Sequence, residues 1–469
     1  MKNISRRSFI EKSGVATAGA MVAPGFISGN TFAKTSKKRI ALVGTGIRGI
    51  TFWGNRVVRE YGDVVEFVGL CDINPGRVEF GKKYIGVSCP TFTNFEEMMA
   101  RTKPDMLIVT TVDATHHQFV IKGLEMGADV LTEKPMTTDE MKCKGILEAE
   151  KRTGKKVIVG FNYRYGILPT RVKELLVENR VGKITSVDFH WYLNTYHGAS
   201  YFRRWHGERD KGGTLLVHKA THHFDLLNWW LDSDPVEVNA YGALEFYGSN
   251  NSFRGEKCRN CGYVDKCKFY YDITKDKTYM DLYVANEKYD GYIRDNCLWR
   301  EDVDIYDKMA VQIKYANDVT VSYSLTTYSP YEGWRIAFNG VNGRIDSWED
   351  IPWFNKSKIE QSKLHAKEMD QSDSKEREDY EQIMVADNFG DYEEIKVEKA
   401  RGGHGGGDSR LQDKIFKDPN AADPLKHAAG SRDGAMSILI GIAARTSIEQ
   451  KRPVKIEELC DIKPMPNRG

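Results

Sequence analysis

The 469-residue chain lacks several features that point to particular classes of protein. It has no excess of one charge, since 68 basic and 66 acidic residues leave a net charge of +2, and it has no long basic block. We therefore expect no nucleic-acid partner. No segment has the length and apolarity of a membrane-spanning helix, and no internal repeat is visible. The remaining composition, 41% hydrophobic and 29% charged, is typical of a globular protein of two domains with insertions.

Residues 1–35 are predicted to be an export signal outside the fold. Arg6 and Arg7 form a twin arginine, and a run of apolar and small residues follows from Val15 to Phe26. This pattern is typical of a Tat signal, with cleavage expected after Ala33. The apolar run is too short and too rich in glycine to span a membrane. We therefore expect a protein that reaches the periplasm already folded.

The rest of the chain is organised around the stretch 38–49. An apolar run of β-forming residues leads directly into a Gly-x-Gly-x-x-Gly turn, and a helix-like segment follows. In a nucleotide-binding βα turn, the glycines permit a tight turn, a close approach to pyrophosphate and packing of helix on strand. By itself the motif fits an ordinary glycine turn about equally well. The residues expected to face a cofactor are Gly44, Gly46, Ile47, Arg48 and Gly49.

The second predicted strand strengthens the nucleotide interpretation. It ends at Asp72, which follows Gly49 by 23 residues (72 − 49). A carboxylate in this place is positioned to bind the ribose 2′-hydroxyl and to repel a 2′-phosphate. NAD is therefore expected over NADP, although Arg48 and Arg77 are near enough to keep NADP open. Since the periplasm supplies no free nucleotide, we expect the cofactor to stay bound.

Residues 38–162 alternate between predicted strands and helices. Alternation of this kind indicates a parallel sheet covered on both faces, with ligands beyond the carboxyl ends of the strands. We therefore predict an α/β fold that begins with a Rossmann dinucleotide-binding domain. The predicted strands are Ile40–Val43, Glu66–Cys71, Met106–Thr110, Asp129–Thr132 and Val157–Gly160.

Residues 163–469 have a different pattern, with few helices and many alternating apolar segments. This favours a largely antiparallel sheet in a second, α+β domain for substrate binding and oligomerisation. Two insertions are expected, at about 247–302 and 357–381, the second an exposed loop or a mobile helix. The predicted strands are Ile184–Tyr192, Val236–Phe246, Met309–Tyr315, Val319–Thr326, Arg335–Phe338 and Gly343–Trp348.

Glu133-Lys134-Pro135 follows the fourth predicted strand of the first domain. A lysine at the carboxyl end of such a strand faces the cofactor crevice. Partial burial would lower its pKa and suit it to hydrogen-bond or protonate a substrate oxygen. On this tripeptide alone, a surface lysine in a turn is the stronger interpretation.

A histidine cluster lies between residues 212 and 225. Helical spacing places His218 and His222 on one face, with Asp225 one turn beyond His222. An imidazole is a natural general acid or base near neutral pH, and a carboxylate one turn away can fix its tautomer. Packing histidines are the alternative, and a zinc site is discounted because a clear third ligand is missing.

Together these motifs resemble the Gfo/Idh/MocA oxidoreductases, named for glucose–fructose oxidoreductase, inositol dehydrogenase and rhizopine catabolism. The resemblance covers nearly the whole chain after residue 38. It implies a Rossmann domain followed by a domain with an open, mainly antiparallel sheet, and NAD(P)-dependent chemistry on sugars and polyols. It assigns the family's lysine to Lys134 and its catalytic histidine to His222. A small carbohydrate substrate and a homo-oligomer are expected.

One position departs from the family. Members commonly have an aspartate four residues before the catalytic histidine, where this chain has His218 followed by Lys219. Because this changes proton handling, simple inositol or glucose dehydrogenase activity is in doubt. The main hypothesis is an exported sugar or glycoside oxidoreductase in which His218 also takes part. The alternatives are an NAD-dependent enzyme that cleaves glycosides by transient oxidation and elimination, and a non-catalytic sugar-binding protein.

The first insertion contains a cluster of thiols, Cys258, Cys261, Cys267 and, further on, Cys297. Four thiols are enough for a structural zinc, and in the periplasm a disulfide is an equal alternative. Either would hold together a polar segment that has little apolar sequence to bury. We predict that the sulfurs converge away from the nicotinamide crevice.

Overall fold

The amino-terminal half is built on a sheet of six parallel strands in the order β3-β2-β1-β4-β5-β6. The strand order reverses between β1 and β4, which is where ligands bind in open α/β sheets. β4 is buried at all four positions, as expected for a strand covered on both faces. The strands are β1 (Lys38–Val43), β2 (Val65–Cys71), β3 (Thr91–Phe92), β4 (Met106–Val109), β5 (Asp129–Thr132) and β6 (Val157–Val159).

Three of the five α-helices that the structure describes in this half begin at polar capping side chains. Asn74, Asn94 and Asp139 each accept a hydrogen bond from a main-chain N–H in the first turn of the following helix. A π-helical segment, Gly49–Asn55, leads directly into the first α-helix. The helices are α1 (Arg56–Tyr61), α2 (Pro75–Ile85), α3 (Phe95–Thr102), α4 (His116–Glu125) and α5 (Glu140–Thr153).

The carboxyl-terminal half is built on a nine-stranded sheet in the order β14-β13-β12-β11-β7-β10-β9-β8-β15. Only β7 and β10 pair in parallel; the other neighbours are antiparallel. The strands are β7 (Ile184–Asn194), β8 (Pro235–Ala243), β9 (Lys308–Tyr315), β10 (Thr320–Ser329), β11 (Gly333–Gly340), β12 (Gly343–Glu349), β13 (Tyr380–Asp387), β14 (Tyr392–Glu398) and β15 (Val454–Lys455).

One face of this sheet is covered by helices, and along β9 and β10 buried and less buried residues alternate. The long carboxyl-terminal helix packs on β8 and on the helix that carries His222. The helices are α6 (Ile167–Val177), α7 (Thr195–Arg203), α8 (Arg209–Gly212), α9 (Leu215–His218), α10 (Ala220–Leu231), α11 (Lys277–Leu282), α12 (Glu287–Asp290), α13 (Gly407–Gln412) and α14 (Ser431–Gln450).

This computed structural model describes residues 36–352, 380–399 and 403–468. The predicted export signal and most of the second predicted insertion lie outside them. From Lys37 onward the chain forms one compact unit. The predicted fold class is confirmed, with a parallel Rossmann sheet followed by a mixed, mainly antiparallel sheet. Among the described residues, no helix is both long and apolar enough to cross a membrane.

The thiols of the first insertion do not form the expected cross-link. Cys258, Cys261, Cys267 and Cys297 line one small cavity, so they do converge. Each is nevertheless a free thiol, and within the described ranges no three ligand side chains are grouped to hold a metal ion. The prediction of a zinc or disulfide staple is therefore wrong for this structure.

Polar bonds and aromatic packing hold the insertion instead. Arg203 Nη1 donates to Cys258 Sγ at 2.7 Å, and Lys257 pairs with Asn296 in an antiparallel bridge. Its flanks contribute large rings, as in the stacked pair Phe246 and Tyr328, whose centroids are 4.6 Å apart. Rings inside the insertion pack as well, since Phe269 contacts both Phe246 and Trp299.

Gly441 sets how closely α14 approaches α9. A Cβ atom at this position would lie 2.3 Å from the carbonyl oxygen of Leu216. We expect Gly441→Ala to lower the free energy of unfolding by about 1–3 kcal/mol, because backbone must move to admit the methyl group. Gly145→Ala in α5 is the control, since its Cβ would meet only the flexible end of Ile121 at 3.2 Å. Calorimetric unfolding of both variants measures the difference, and equal stability would contradict the close-packing argument.

Candidate active site

One cavity of about 2180 Å³ runs along the carboxyl ends of the parallel strands and continues past α7 and the helix that carries His222 to the first insertion. Typical ligand pockets have volumes of about 300–1,000 Å³. The cavity therefore has room for a dinucleotide together with a second molecule. The glycine turn lines one part of it, and Lys134, His218 and His222 line another.

The glycine turn cannot accommodate side chains at its first and last positions. Gly44 has φ +92°, and a Cβ there would lie 2.6 Å from the carbonyl of Thr110. A Cβ on Gly49 would lie 2.3 Å from the carbonyl oxygen of Gly44. The close approach of turn, strand and helix is the arrangement that a pyrophosphate cradle needs.

Asp72 fixes this turn from the end of β2. Its Oδ2 accepts hydrogen bonds from Thr45 N at 2.8 Å and Thr45 Oγ1 at 3.1 Å. Its Oδ1 accepts from Asn74 N at 2.9 Å and from Arg77 Nη2 at 3.2 Å. Arg77 also pairs with Asp290 of the insertion. Because two carboxylates hold this guanidinium, it is not free to receive a 2′-phosphate.

The first insertion folds back over the nucleotide crevice. Ile47 N, in the glycine turn, donates to the hydroxyl of Tyr283 at 2.9 Å. Asn74 Nδ2 donates to the carbonyl of Asn286 at 2.9 Å. The sequence did not predict these contacts. They place insertion residues directly against the groups that face a cofactor.

Glu133 joins the glycine turn to the end of β5. Its Oε1 accepts from Arg48 Nε at 2.6 Å and from Trp53 Nε1 at 2.7 Å, and its Oε2 accepts from Lys134 N at 3.2 Å. Burial alone would raise the pKa of Glu133. The charges of Arg48 and Lys134 outweigh that effect, so this pKa lies below its ordinary value and the group is a carboxylate.

Lys134 reaches across the cavity to the second half of the protein. Its Nζ donates to the carbonyl of His218 at 3.1 Å and lies 3.5 Å from His218 Nε2. Burial lowers the pKa of Lys134 to about 8, against the opposing charges of Asp113 and Glu133. The lysine therefore gives up its proton far more readily than a surface lysine.

His218 has a partner that the sequence did not reveal. Its Nδ1 lies 2.5 Å from Asp113 Oδ2, which comes from the turn after β4. Burial, reinforced by the charge of Lys134, lowers the pKa of His218 well below its usual value. Burial raises the pKa of Asp113. This short, buried bond lets one proton be shared between the two side chains.

His222 is buried beside the same cavity, with its ring 4.6 Å from that of Tyr163. Burial, followed by the charges of Lys134 and Lys219, lowers the pKa of His222 well below its usual value. Its Nδ1 has no hydrogen-bond partner in the described part of the chain. The imidazole is therefore neutral near pH 7 and able to accept a proton.

Asp225 does not orient His222, so that prediction is wrong. Arg164 holds its carboxylate in a two-pronged ion pair, with Nε to Oδ2 at 2.7 Å and Nη2 to Oδ1 at 2.6 Å. Both side chains are almost fully buried. The position of Asp225 on the helix was predicted correctly, but its carboxylate binds Arg164, which is 61 residues away in the sequence.

A further histidine, His404, comes from the glycine loop before α13. Its Nδ1 lies 3.1 Å from Asp408 Oδ1, which also accepts from Asn162 Nδ2 at 2.6 Å. Its ring makes an edge contact with Tyr163, with centroids 5.0 Å apart. His222 and His404 thus both contact one tyrosine at the cavity wall, and their own ring centroids lie 6.4 Å apart.

A pyrophosphate cradle, a carboxylate at the end of the second strand, and a lysine with a neutral histidine in one cavity define a dinucleotide-dependent oxidoreductase. Residues 38–161 match the family model "Oxidoreductase family, NAD-binding Rossmann fold", and residues 173–456 match "Oxidoreductase family, C-terminal alpha/beta domain". The chain belongs to the Gfo/Idh/MocA family of oxidoreductases.

Known proteins agree with this assignment. YteT of Bacillus subtilis (strain 168), described as an oxidoreductase, is 36% identical over 448 residues, or 90% of this chain and 98% of that protein. Inositol 2-dehydrogenase of Agrobacterium fabrum is 30% identical over 202 residues, or 43% of this chain and 56% of that enzyme. The WlbA dehydrogenase of Bordetella pertussis, solved with NADH and UDP-GlcNAcA, has the same fold, with TM-score 0.59, 17% identity and coverage of 90% and 99%.

The ion pairs of Arg77 with Asp72 and Asp290 predict a preference for NAD over NADP. We expect the purified protein to carry NAD(H), and Asp72→Ser to raise the NADP:NAD ratio about tenfold or more, because the carboxylate that repels a 2′-phosphate is lost while Arg77 remains, paired only with Asp290. Denaturation followed by chromatography of the released nucleotides gives this ratio. Asp290→Asn, which leaves Asp72 in place, is the control. NADP in the wild-type protein, or an unchanged ratio in Asp72→Ser, would contradict this account.

Proposed function

We propose that this protein transfers a hydride to or from a ring carbon of a sugar or glycoside, with NAD(H) as the carrier. One observation carries the proposal: Lys134 and His222 line the same cavity as the glycine turn. The inositol dehydrogenases among its relatives, and a structural neighbour solved with a nucleotide sugar, support a carbohydrate substrate.

The side chains divide the work as follows. Bound NAD supplies the hydride acceptor or donor at the nicotinamide ring. Lys134 Nζ, held by the carbonyl of His218, donates a hydrogen bond to the substrate oxygen and stabilises negative charge there. His222 accepts the hydroxyl proton during oxidation and returns it during reduction. Since His222 Nδ1 is buried, we assign this transfer to Nε2.

We also propose that the protein is exported in its folded state and keeps its cofactor through the catalytic cycle. The twin arginine, Arg6 and Arg7, supports export, and the contacts of Tyr283 and Asn286 with the nucleotide crevice support retention. Replacing both arginines by lysine should leave the protein in the cytoplasm, as cell fractionation would reveal.

The expected homo-oligomer stays a prediction, which light scattering on the purified protein would test.

Glycoside cleavage is the second candidate, because the site holds a second proton-handling group. Hydride transfer from an alcohol moves one proton, whereas elimination also removes a proton from carbon and protonates the leaving group. The bonded pair of His218 and Asp113 can serve this additional transfer. Release of nitrophenol from a nitrophenyl glycoside, with no net formation of NADH, would favour this candidate over simple oxidation.

The role of His222 is tested by its removal. We expect His222→Ala to lower kcat/KM by about two orders of magnitude or more, because proton transfer is lost while the nucleotide stays bound. His223→Gln is a matched control. This neighbouring imidazole is equally buried but bonds to the hydroxyl of Tyr323 at 2.7 Å. Turnover of His222→Ala near the wild-type rate would remove the assignment.

The pKa of Lys134 sets a pH limit. Because the pKa of about 8 lies below the ordinary value of 10.5, the ammonium form is lost as the pH rises through 8. We expect kcat/KM for substrate reduction to fall about tenfold for each pH unit above 8. In Lys134→Arg this decrease at high pH should be absent, because arginine stays charged. A pH–rate profile that is flat from 7 to 10 would contradict the role of Lys134.

A further inference from the structure

The cavity that holds Lys134 and His222 is also lined by residues of the first insertion, and two arginines, Arg204 and Arg294, lie on its wall. Arg294 follows the helices of the insertion, and Arg204 directly follows α7. They therefore come from segments 90 residues apart (294 − 204) that meet only in the folded protein.

Arg294 is buried without a polar partner. Its side chain is 6% exposed, and its guanidinium carbon lies 4.0 Å and 4.6 Å from the ring centroids of Tyr279 and Tyr283. Among the described residues, no hydrogen-bond acceptor or carboxylate engages this guanidinium. Stacked rings hold the planar group in place while leaving its N–H edge free.

Arg204 is similarly short of partners. Its Nε donates to the carbonyl of Ser200 at 2.8 Å, and its guanidinium lies over the ring of Tyr201 at 5.6 Å. Within the described ranges its remaining N–H groups have no acceptor. Arg204 and Arg294 line the same cavity, and burial, followed by the charge of Arg294, lowers the pKa of Arg204.

The carboxylates that line the cavity are already engaged elsewhere. They pair with basic side chains, bond to histidines or cap a helix: Asp72 and Asp290 with Arg77, Glu96 with Lys122, Glu133 with Arg48, Glu208 with Lys211, Asp113 with His218, Asp408 with His404, and Asp276 with Tyr279 N. Of the other buried arginines, Arg164 pairs with Asp225 and Arg56 with Glu60, whereas Arg203 bonds to a thiol and to a main-chain carbonyl. Arg294, which is buried, and Arg204, which is half-buried, line one cavity with no carboxylate partner among the described residues, and this arrangement is costly unless a ligand supplies the negative charge.

We propose that Arg204 and Arg294 form an anion subsite that binds a carboxylate or sulfate group of the sugar substrate. This inference rests on the proposed function and narrows the substrate class to hexuronates or sulfated sugars. Guanidinium groups match these planar or tetrahedral oxyanions in geometry and charge. The cofactor's pyrophosphate is assigned to the glycine turn, whose closely packed glycines form its cradle. Tyr283 lies between that turn and Arg294, with its hydroxyl bonded to Ile47 N and its ring beside the guanidinium.

The test measures binding to the NAD-loaded full-length protein by isothermal titration calorimetry, without turnover. The probes are matched pairs: D-glucuronate and D-glucose, D-galacturonate and D-galactose, and N-acetylglucosamine 6-sulfate and N-acetylglucosamine. We expect at least one acidic sugar to bind about tenfold to a hundredfold more tightly than its neutral partner. This preference should be lost in Arg294→Gln and reduced in Arg204→Gln, with the bound nucleotide unchanged.

Arg203→Gln is the matched control. This neighbouring arginine is also buried, but its guanidinium donates to Cys258 Sγ and to the carbonyl of Phe269, both at 2.7 Å. It should keep the preference for the acidic sugar. The proposal is overturned if no wild-type pair shows a preference, if Arg203→Gln abolishes it equally, or if Arg294→Gln loses nucleotide instead. If neutral sugars are turned over and acidic sugars bind no more tightly, the anion subsite is refuted but the proposed function stands. If acidic sugars bind more tightly but no turnover depends on His222, the proposed function is refuted but the anion subsite stands.

Discussion

The site depends on keeping a lysine charged inside a partly dehydrated cavity. Burial of Lys134 opposes its charge, and two carboxylates offset that cost, Glu133 from its own strand and Asp113 from the turn after β4. Each carboxylate has a second task, since Glu133 bonds to Arg48 of the glycine turn and Asp113 bonds to His218. The electrostatic requirement of one lysine therefore connects the cofactor cradle, the parallel sheet and the histidine helix. We therefore expect a substitution at any one of these positions to change the pKa values of the others.

The alternation of strands and helices predicted the fold class, and the local Gly-x-Gly-x-x-Gly spacing predicted the glycine turn. Lys134 and His222 were assigned by the family resemblance, because the tripeptide around Lys134 alone fitted a surface turn better. Asp113 and Tyr283 were missed because they lie 105 and 236 residues from their hydrogen-bond partners. Asp225 was misassigned for the same reason: helical spacing identifies which face a carboxylate lies on, but it does not reveal a distant arginine. The strands β13 and β14 were missed because their buried positions are few and glutamate and lysine fill much of the rest.

The first insertion shows how composition can mislead. Its many charges and tyrosines suggested a surface segment that needed a metal or a disulfide. In the structure, the tyrosines support arginines, and the charges reach the Rossmann domain, where Asp290 meets Arg77. Through Tyr283, the insertion contacts both the glycine turn and Arg294, and so links the cofactor cradle to the proposed anion subsite. The proposed retention of nucleotide and the proposed choice of substrate therefore both depend on this segment.

The departure from the family at residue 218 has a structural counterpart. The carboxylate that members commonly carry four residues before the catalytic histidine is replaced here by an imidazole. Asp113, on the turn after β4, supplies a carboxylate that lines the same cavity and lies 2.5 Å from His218 Nδ1. A single carboxylate at the family's usual position is thus replaced by a bonded pair of side chains, which can share and pass on a proton.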